Sequence, residues 1–175
     1  GIDDYCLQNR NILCRDRGYF NCLDQLERLP KNCMLVNQHV EPAFRFSSEQ
    51  IARMRKTLDA RISLLRELLP FDDPNFGMDE GWCEFHPYAV EVRSGQSVQI
   101  GLRITNHSPH TQTFRVALDV PAGWAEAEKH TITLSPRAEG MVSTALRVPA
   151  RTEPGLRVIT ADIAWQGHDL RRWAE

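Results

Sequence analysis

Val98-Gln99-Ile100-Gly101-Leu102-Arg103-Ile104 alternates an apolar residue with a polar or small one at every step. A period of two describes a β-strand with one dry and one wet face, because successive side chains leave a strand on opposite sides. Working outward from this stretch, Val90 and Val92 alternate before it. Thr113 to Val120, His130 to Leu134, Met141 to Val148 and Val158 to Trp165 follow it as further strands. Ser94-Gly95, Asn106-His107-Ser108-Pro109, Pro121-Ala122-Gly123, Ser135-Pro136 and Glu153-Pro154-Gly155 supply the turns between them. Strands at this spacing with no helix among them predict an antiparallel sandwich over residues 87–175. The alternation assigns Val98, Ile100, Leu102, Val116, Leu118, Val142, Leu146, Val158 and Ile163 to its core. Gly167 to Glu175 starts another alternating run, read as a short last strand whose incompletely paired edge is open to a second copy of the chain.

The first half has a different rhythm, so the chain as a whole is expected to be α+β. Tyr19, Phe20, Cys22, Leu23, Leu26 and Leu29 recur at helical spacing until Pro30. Cys33 to Val36 reads as a short buried strand that delivers His39 at its C-terminal end. A long helix is expected near residues 47–69. Ser47 and Gln50 form a capping-box pair, Glu49 suits the helix dipole, and Ile51, Met54, Leu58, Ile62, Leu65 and Leu69 make one apolar stripe ended by Pro70. Arg53, Arg55, Lys56, Arg61 and Arg66 lie mostly off that stripe as a solvated face. Residues 70–86 are rich in Pro, Gly and Asp, yet Phe71, Phe76, Trp82 and Phe85 are too apolar for a free linker and predict a packed connection. The expected organisation is thus residues 1–86 followed by a sandwich at 87–175.

Composition narrows the function classes. Twenty-one basic against twenty-three acidic residues leave a net charge of −2, and neither half is basic, which argues against nucleic acid as a partner. No apolar run is long enough for a membrane helix, so no membrane partner is expected. The five cysteines, at 6, 14, 22, 33 and 83, are odd in number and lack a Cys-x2-Cys pair, which disfavours a disulfide framework or a cysteine zinc site and points to a cytoplasmic compartment. The chain opens without Met, so its start is expected to lie inside a longer protein.

Two resemblances sharpen this reading. Val120-Pro-Ala-Gly-Trp124, Leu134-Ser-Pro136, Val148-Pro-Ala150 and Glu153-Pro-Gly155 together resemble the immunoglobulin-like domains appended to α-galactosidases and other glycan-related enzymes. Leu35-Val-Asn-Gln-His39, the loop Val40-Glu-Pro-Ala-Phe44 and the helix after it resemble the end of a metallo-β-lactamase-fold domain, the last part of an αββα architecture. That second resemblance implies a metal-dependent hydrolase as the intact parent, with His39 as its last metal ligand. It also implies zinc or another divalent metal as cofactor and the upstream remainder of the domain as partner. Here Gln38 and Val40 flank the histidine where the family pattern has glycine, and the His-x-His-x-Asp-His cluster of that family does not occur. One imidazole cannot form a site that needs three or more ligands, so this chain alone is expected to carry no cofactor and no catalysis. The alternative is a non-catalytic module that binds glycan or protein.

Other residues are weighed against ordinary structural roles. His86, His107, His110, His130 and His168 share no ligand spacing. Cys22 and His39 lack any sign of an activating environment for a nucleophile and base. Asp72, Asp73, Asp79 and Glu80 lack the regular calcium-loop pattern and suit turns and caps. Tyr88, Trp124, Trp165 and Trp173 could form a sugar-stacking platform, but packing at the core and rim is the better account of them.

Overall fold

The computed structural model describes Leu13, residues 18–36 and residues 43–175. Contacts divide the chain into two units, residues 1–80 and 81–175.

In the first unit, helix α1 (Tyr19–Arg28) buries Tyr19, Phe20 and Leu23. It stops where Leu29 turns extended ahead of Pro30, whose ring disfavours helical geometry in the residue before it. Helix α2 (Ser48–Leu68) begins with the expected capping box: Ser47 Oγ accepts the Gln50 N–H at 3.2 Å, and Gln50 Oε1 accepts the Ser47 N–H at 2.8 Å. Two donors that a helix start leaves orphaned are thereby satisfied. Ile51 and Leu58 join Leu13, Tyr19, Phe20 and Leu23 in one apolar cluster, with Met54, Ile62 and Leu65 half-buried against it. Arg55 clamps the two helices at the surface by reaching Asp24 at 2.5 Å and Glu27 at 2.9 Å. A four-residue helix, α3 (Asn75–Met78), follows; Asp73 Oδ1 accepts the Asn75 N–H at 2.8 Å.

One expectation in this unit is overturned. Cys33 to Val36 is not a buried strand: Leu35 makes a single bridge with Phe44, while Met34 is 57% and Val36 81% exposed. No neighbouring strand extends the bridge among the described residues; Cys33 and Leu35 are half-buried, and only Met34 and Val36 face outward.

The second unit is a sandwich of two antiparallel sheets. Strands β1 (Cys83–His86), β2 (Ser97–Thr105) and β5 (Glu139–Arg147) form one sheet in the order β1-β2-β5. Strands β3 (Gln112–Asp119), β4 (His130–Leu134), β6 (Thr160–Trp165) and β7 (His168–Ala174) form the other in the order β4-β3-β6-β7. The alternation read in the sequence selects the inner face. Ile100, Leu102, Ile104, Val142, Leu146, Phe114, Val116 and Ile163 are all buried. Val98 and Leu118 are half-buried at strand ends. Gly140 lets the sheets close together, since a Cβ there would stand 2.5 Å from Leu134 Cδ2.

Differences from the sequence reading fall where the chain is not laddered. Val90 and Val92 belong to no strand, because β1 stops before Pro87, which has no N–H for a ladder. Val158 is 57% exposed and precedes β6. The loop before that strand is held locally by Arg157, which donates to the carbonyls of Glu153 and Leu156. Cys83–His86, inside the stretch read as a connection, is a strand of the first sheet, registered Cys83↔Ile104 and His86↔Gly101. The run from Gly167 is a seven-residue strand, joined to β6 by a Gln166-Gly167 turn in which both residues have positive φ (46° and 83°). This is the two-residue hairpin geometry that matches strand twist.

Strand β7 is irregular in one place. Its register with β6 shifts between Ala161 and Ile163, and Arg172 has φ 49°. The displaced Arg172 N–H donates to Asp162 Oδ1 at 2.9 Å, and Arg171 donates to Asp162 Oδ2 at 2.8 Å. Partial burial pulls the Asp162 carboxyl upward, but the Arg172 N–H, the Arg171 guanidinium and both arginine charges outweigh it and hold the carboxyl below its ordinary value. The Arg171 side chain is 72% exposed and screened, so the bond from the Arg172 N–H carries most of the stabilisation. A depressed folded-state pKa contributes stability that is complete above the unfolded carboxylate range and lost as pH falls through the folded value. Asp162→Ala is therefore expected to lower unfolding free energy by about 1 kcal/mol at neutral pH. In urea titrations the gap from wild type should narrow below about pH 4. A gap that stays constant down to pH 2 would refute the role of the ionised carboxylate.

Candidate functional site

The sandwich offers two ends. At one, the chain passes from β2 to β3 through Asn106-His107-Ser108-Pro109-His110, and Asn106 is fully buried. Its Nδ2 donates toward the carbonyls of His110 (2.9 Å), Leu134 (3.1 Å) and Ser135 (2.9 Å), while its Oδ1 accepts the Ser108 N–H at 3.0 Å. Its own N–H donates to the Ala138 carbonyl at 2.8 Å. Ser108 Oγ accepts the His110 N–H (3.0 Å) and Gln112 Nε2–H (2.9 Å), and Arg137 donates to the His107 carbonyl. A single carboxamide thus satisfies backbone groups of two loops that would otherwise be buried without partners. The sequence flagged this tetrapeptide only as a turn. An asparagine directly after an alternating strand was the available signal, and spacing alone did not distinguish a buried one from an exposed one.

His107 is buried in this end, His110 borders it, and Trp165 and His168 rings lie 5.1 Å apart. No group of three or more His, Cys, Asp or Glu that could hold a metal occurs among the described residues. His39 lies outside the described residues, as do Gln38 and Val40. Cys22 is half-buried and Cys83 buried, and burial, aided by Glu84, pushes the Cys83 thiol far up, which makes it an inert core group. Asp73 Oδ1 accepts the Asn75 N–H and Nδ2–H just before and at the start of α3, a turn role.

The opposite end is formed by the segments 87–96, 120–129 and 148–159, where β2, β4 and β6 begin and β3 and β5 finish. Gly95 and Gln96 exchange backbone bonds with Val148 (3.0 and 2.9 Å), and Ser94 Oγ donates to the Thr152 carbonyl at 2.7 Å, which ties two of these segments together. Pro121 to Trp124 closes as a turn, with the Trp124 N–H donating to the Pro121 carbonyl at 3.1 Å and Gly123 at φ 85°. That φ at the third position is the type II requirement for glycine. Tyr88 stands 82% exposed and Trp124 half-buried. Arg93 and Arg151 are exposed here, with Glu91 and Glu153 beside them. The four rings considered as a platform are therefore separated. Trp165 belongs to the core, Trp173 leans on Trp82 with centroids 5.9 Å apart, and Tyr88 and Trp124 are at the loop end.

In the first unit a shallow groove is lined by Leu26, Pro30, Cys33, Leu35, Phe46 and Ile51. Glu27 and Lys31 also line it, one charge of each sign.

Residues 92–166 match the family described as NPCBM-associated, NEW3 domain of alpha-galactosidase. The match spans β2 to β6 and leaves β1, β7 and the first unit outside it. No curated protein matches the chain. Among solved structures, the chain is similar to the Pseudomonas fluorescens alkylpurine DNA glycosylase AlkC bound to DNA containing an abasic site analog, at 9% identity and a TM-score of 0.30. That alignment covers 89% of this chain and 42% of the other, so the chain spans less than half of that protein's length. At this TM-score no correspondence of fold or site is drawn from it.

The Asn106 network generates a test. Asn106→Ala leaves several buried carbonyls and the Ser108 N–H without their partner and is expected to destabilise the sandwich by about 3 kcal/mol or more. Asn106→Asp, which removes the donor but keeps the acceptor, should be comparably damaging. Chemical denaturation followed by tryptophan fluorescence measures both, and a loss under about 1 kcal/mol for either would show the network to be dispensable.

Proposed function

We propose that residues 81–175 are a non-catalytic accessory module that holds a carbohydrate at the loop end of the sandwich. The observation that carries this reading is the match of strands β2 to β6 to the NEW3 domain of alpha-galactosidase. The surface is suited to the task. An exposed tyrosine ring and a half-buried indole offer flat apolar faces for sugar C–H groups, and Arg93 and Arg151 offer forked donors for hydroxyl or carboxylate oxygens. A glycan array probed with the full chain, followed by affinity electrophoresis in the polysaccharides that score, tests it. Binding to galactose-containing glycans is expected, with Tyr88→Ala and Trp124→Ala each weakening it by about tenfold. No retention at millimolar saccharide, or binding indifferent to both substitutions, would overturn the proposal.

A second reading concerns the first unit, as the last part of a metal-dependent hydrolase. It rests on the resemblance at Leu35–His39 alone; Leu35 and Phe44 exchange backbone hydrogen bonds of 2.8 and 2.9 Å as an isolated bridge, not as the buried last strand that the resemblance implied. On this reading the present chain binds zinc no better than a single imidazole, because chelation requires several converging ligands. A longer protein with the upstream residues gains a tight site that His39→Ala weakens. Calorimetric zinc titration of both proteins distinguishes the cases. Equal zinc affinity for the longer wild type and its His39→Ala variant would remove His39 from the metal site.

A further inference from the structure

The two sheets end in four edge strands, β1 and β5 in one and β4 and β7 in the other. Exposed edges invite pairing with another chain, and proteins block them with short strands, prolines, bulges and charges. Three of these edges are blocked. Strand β1 has four residues and runs into Pro87. Strand β4 has five residues. Strand β7 is kinked at Arg172, whose N–H is turned into the Asp162 carboxylate. Strand β5 is different. It has nine residues without proline, keeps an unbroken register with β2, and receives no other backbone hydrogen bond among the described residues.

The ladder shows which groups point outward. The Thr105 N–H donates to the Trp82 carbonyl at 2.7 Å, so odd-numbered residues of β2 turn their backbone toward β1. Beyond the two ends of the β2–β5 ladder, the Asn106 N–H donates to Ala138 at 2.8 Å and the Val148 N–H to Gln96 at 2.9 Å. Even-numbered residues therefore bond across it, consistent with partners such as Ile100↔Thr144. Because bonding alternates along an antiparallel strand, Glu139, Met141, Ser143, Ala145 and Arg147 direct their N–H and C=O groups to the open edge. All five side chains are exposed.

This set of five is self-complementary about Ser143. If a second β5 lies antiparallel with a two-fold axis at Ser143, Glu139 faces Arg147 at each end, Met141 faces Ala145, and Ser143 faces itself. Arg147 has no ion pair of its own among the described residues. Glu139 is held only loosely, by Thr105 Oγ1 at 3.3 Å and Arg103 Nε at 3.9 Å. A parallel arrangement would set Glu139 beside Glu139 and Arg147 beside Arg147, and an antiparallel slip of two residues would break both pairs. Opposite charges facing each other across strands favour one register and like charges reject the others.

The geometry points to a second copy of this chain as the partner of β5, joined antiparallel about Ser143 so that two three-stranded sheets become one. The contact is isologous, as a two-fold dimer requires. It does not rest on the glycan reading, since none of the five edge residues of β5 is among the groups proposed to hold the sugar.

Sedimentation velocity on the full chain, from low micromolar to several hundred micromolar, is expected to show a monomer–dimer equilibrium. Glu139→Arg and Arg147→Glu should each weaken self-association by about tenfold or more, because each sets like charges together twice. An equimolar mixture of the two variants should regain wild-type affinity as a heterodimer, since every new charge then meets its opposite. Ser143→Pro removes an edge N–H that β2 does not use and should abolish the dimer, with circular dichroism confirming that the sandwich is folded. A monomer at every concentration, a dimer indifferent to the single charge changes, or variants that fail to complement each other would overturn the proposal.

Discussion

The sandwich depends on the burial of one indole. Trp82 comes immediately before β1, is completely inaccessible to solvent, and lies against Phe114 of β3 (6.1 Å between centroids), Trp165 of β6 (5.2 Å) and Trp173 of β7 (5.9 Å). It therefore sets three strands of one sheet against the first strand of the other. Its carbonyl simultaneously accepts the Thr105 N–H, which extends the β1–β2 ladder beyond Cys83. Aromatic rings bury more area than any other side chains and prefer tilted or edge-on contacts, and the 67° angle between Trp82 and Trp165 is of that kind. Trp82 and β1 lie before residue 92, where the match to the NEW3 domain begins. The matched stretch thus omits the ring at the centre of its own core.

Asn106 answers the problem that this packing creates. Sheets pressed together by large rings also bury the loops that cross between them, and buried backbone groups without partners cost more than a surface loop would. Placing one carboxamide where β2 leaves its sheet satisfies carbonyls from the β2–β3 crossing and from the β4–β5 turn at once. The aromatic core and this polar clasp are complementary. The first drives the sheets together without regard to register, and the second can be satisfied in only one arrangement of the two loops.

The sequence made the inner sheet positions legible because period two and burial share one cause, the alternation of side chains across a strand. Ile100, Leu102, Val116, Val142, Leu146 and Ile163 were readable for that reason, and Ser47 with Gln50 because capping is local. Val158 was misread because it shares the parity of Thr160, Asp162 and Ala164, whereas Ala161, Ile163 and Trp165 are the residues of β6 that turn inward. Cys83 and Phe85 alternate inward as well, but four residues among turn-forming neighbours gave too little length to separate strand from linker. The roles of Asn106 and Asp162 depend on contacts between separate segments, and no local period encodes those. Met34 and Val36 show the converse. An apolar run predicts burial only where a neighbour exists to bury it, and these two face outward while Cys33 and Leu35 are half-buried.

The distribution of polar groups also constrains what the second unit can do. Much of its interior polarity belongs to the clasp: Asn106, Ser108, Gln112 and the His107 carbonyl hold one another or the backbone. Cys83 is apolar in effect, and Asp162 is committed to the bulge of β7. Under the accessory reading, the groups that meet a ligand are those of the loop end, where the exposed Tyr88, the half-buried Trp124 and the exposed Arg93 and Arg151 stand. Such a surface buries little of any ligand and binds weakly by itself, since affinity grows with enclosed, well-paired contact rather than with a few exposed donors. Weak binding becomes useful when a tether holds the surface near a second site, because the effective concentration then replaces the missing contacts. Under the accessory reading, the sandwich works through that linkage, whereas an antiparallel β5 pairing would set the two loop ends at opposite ends of the joined sheet.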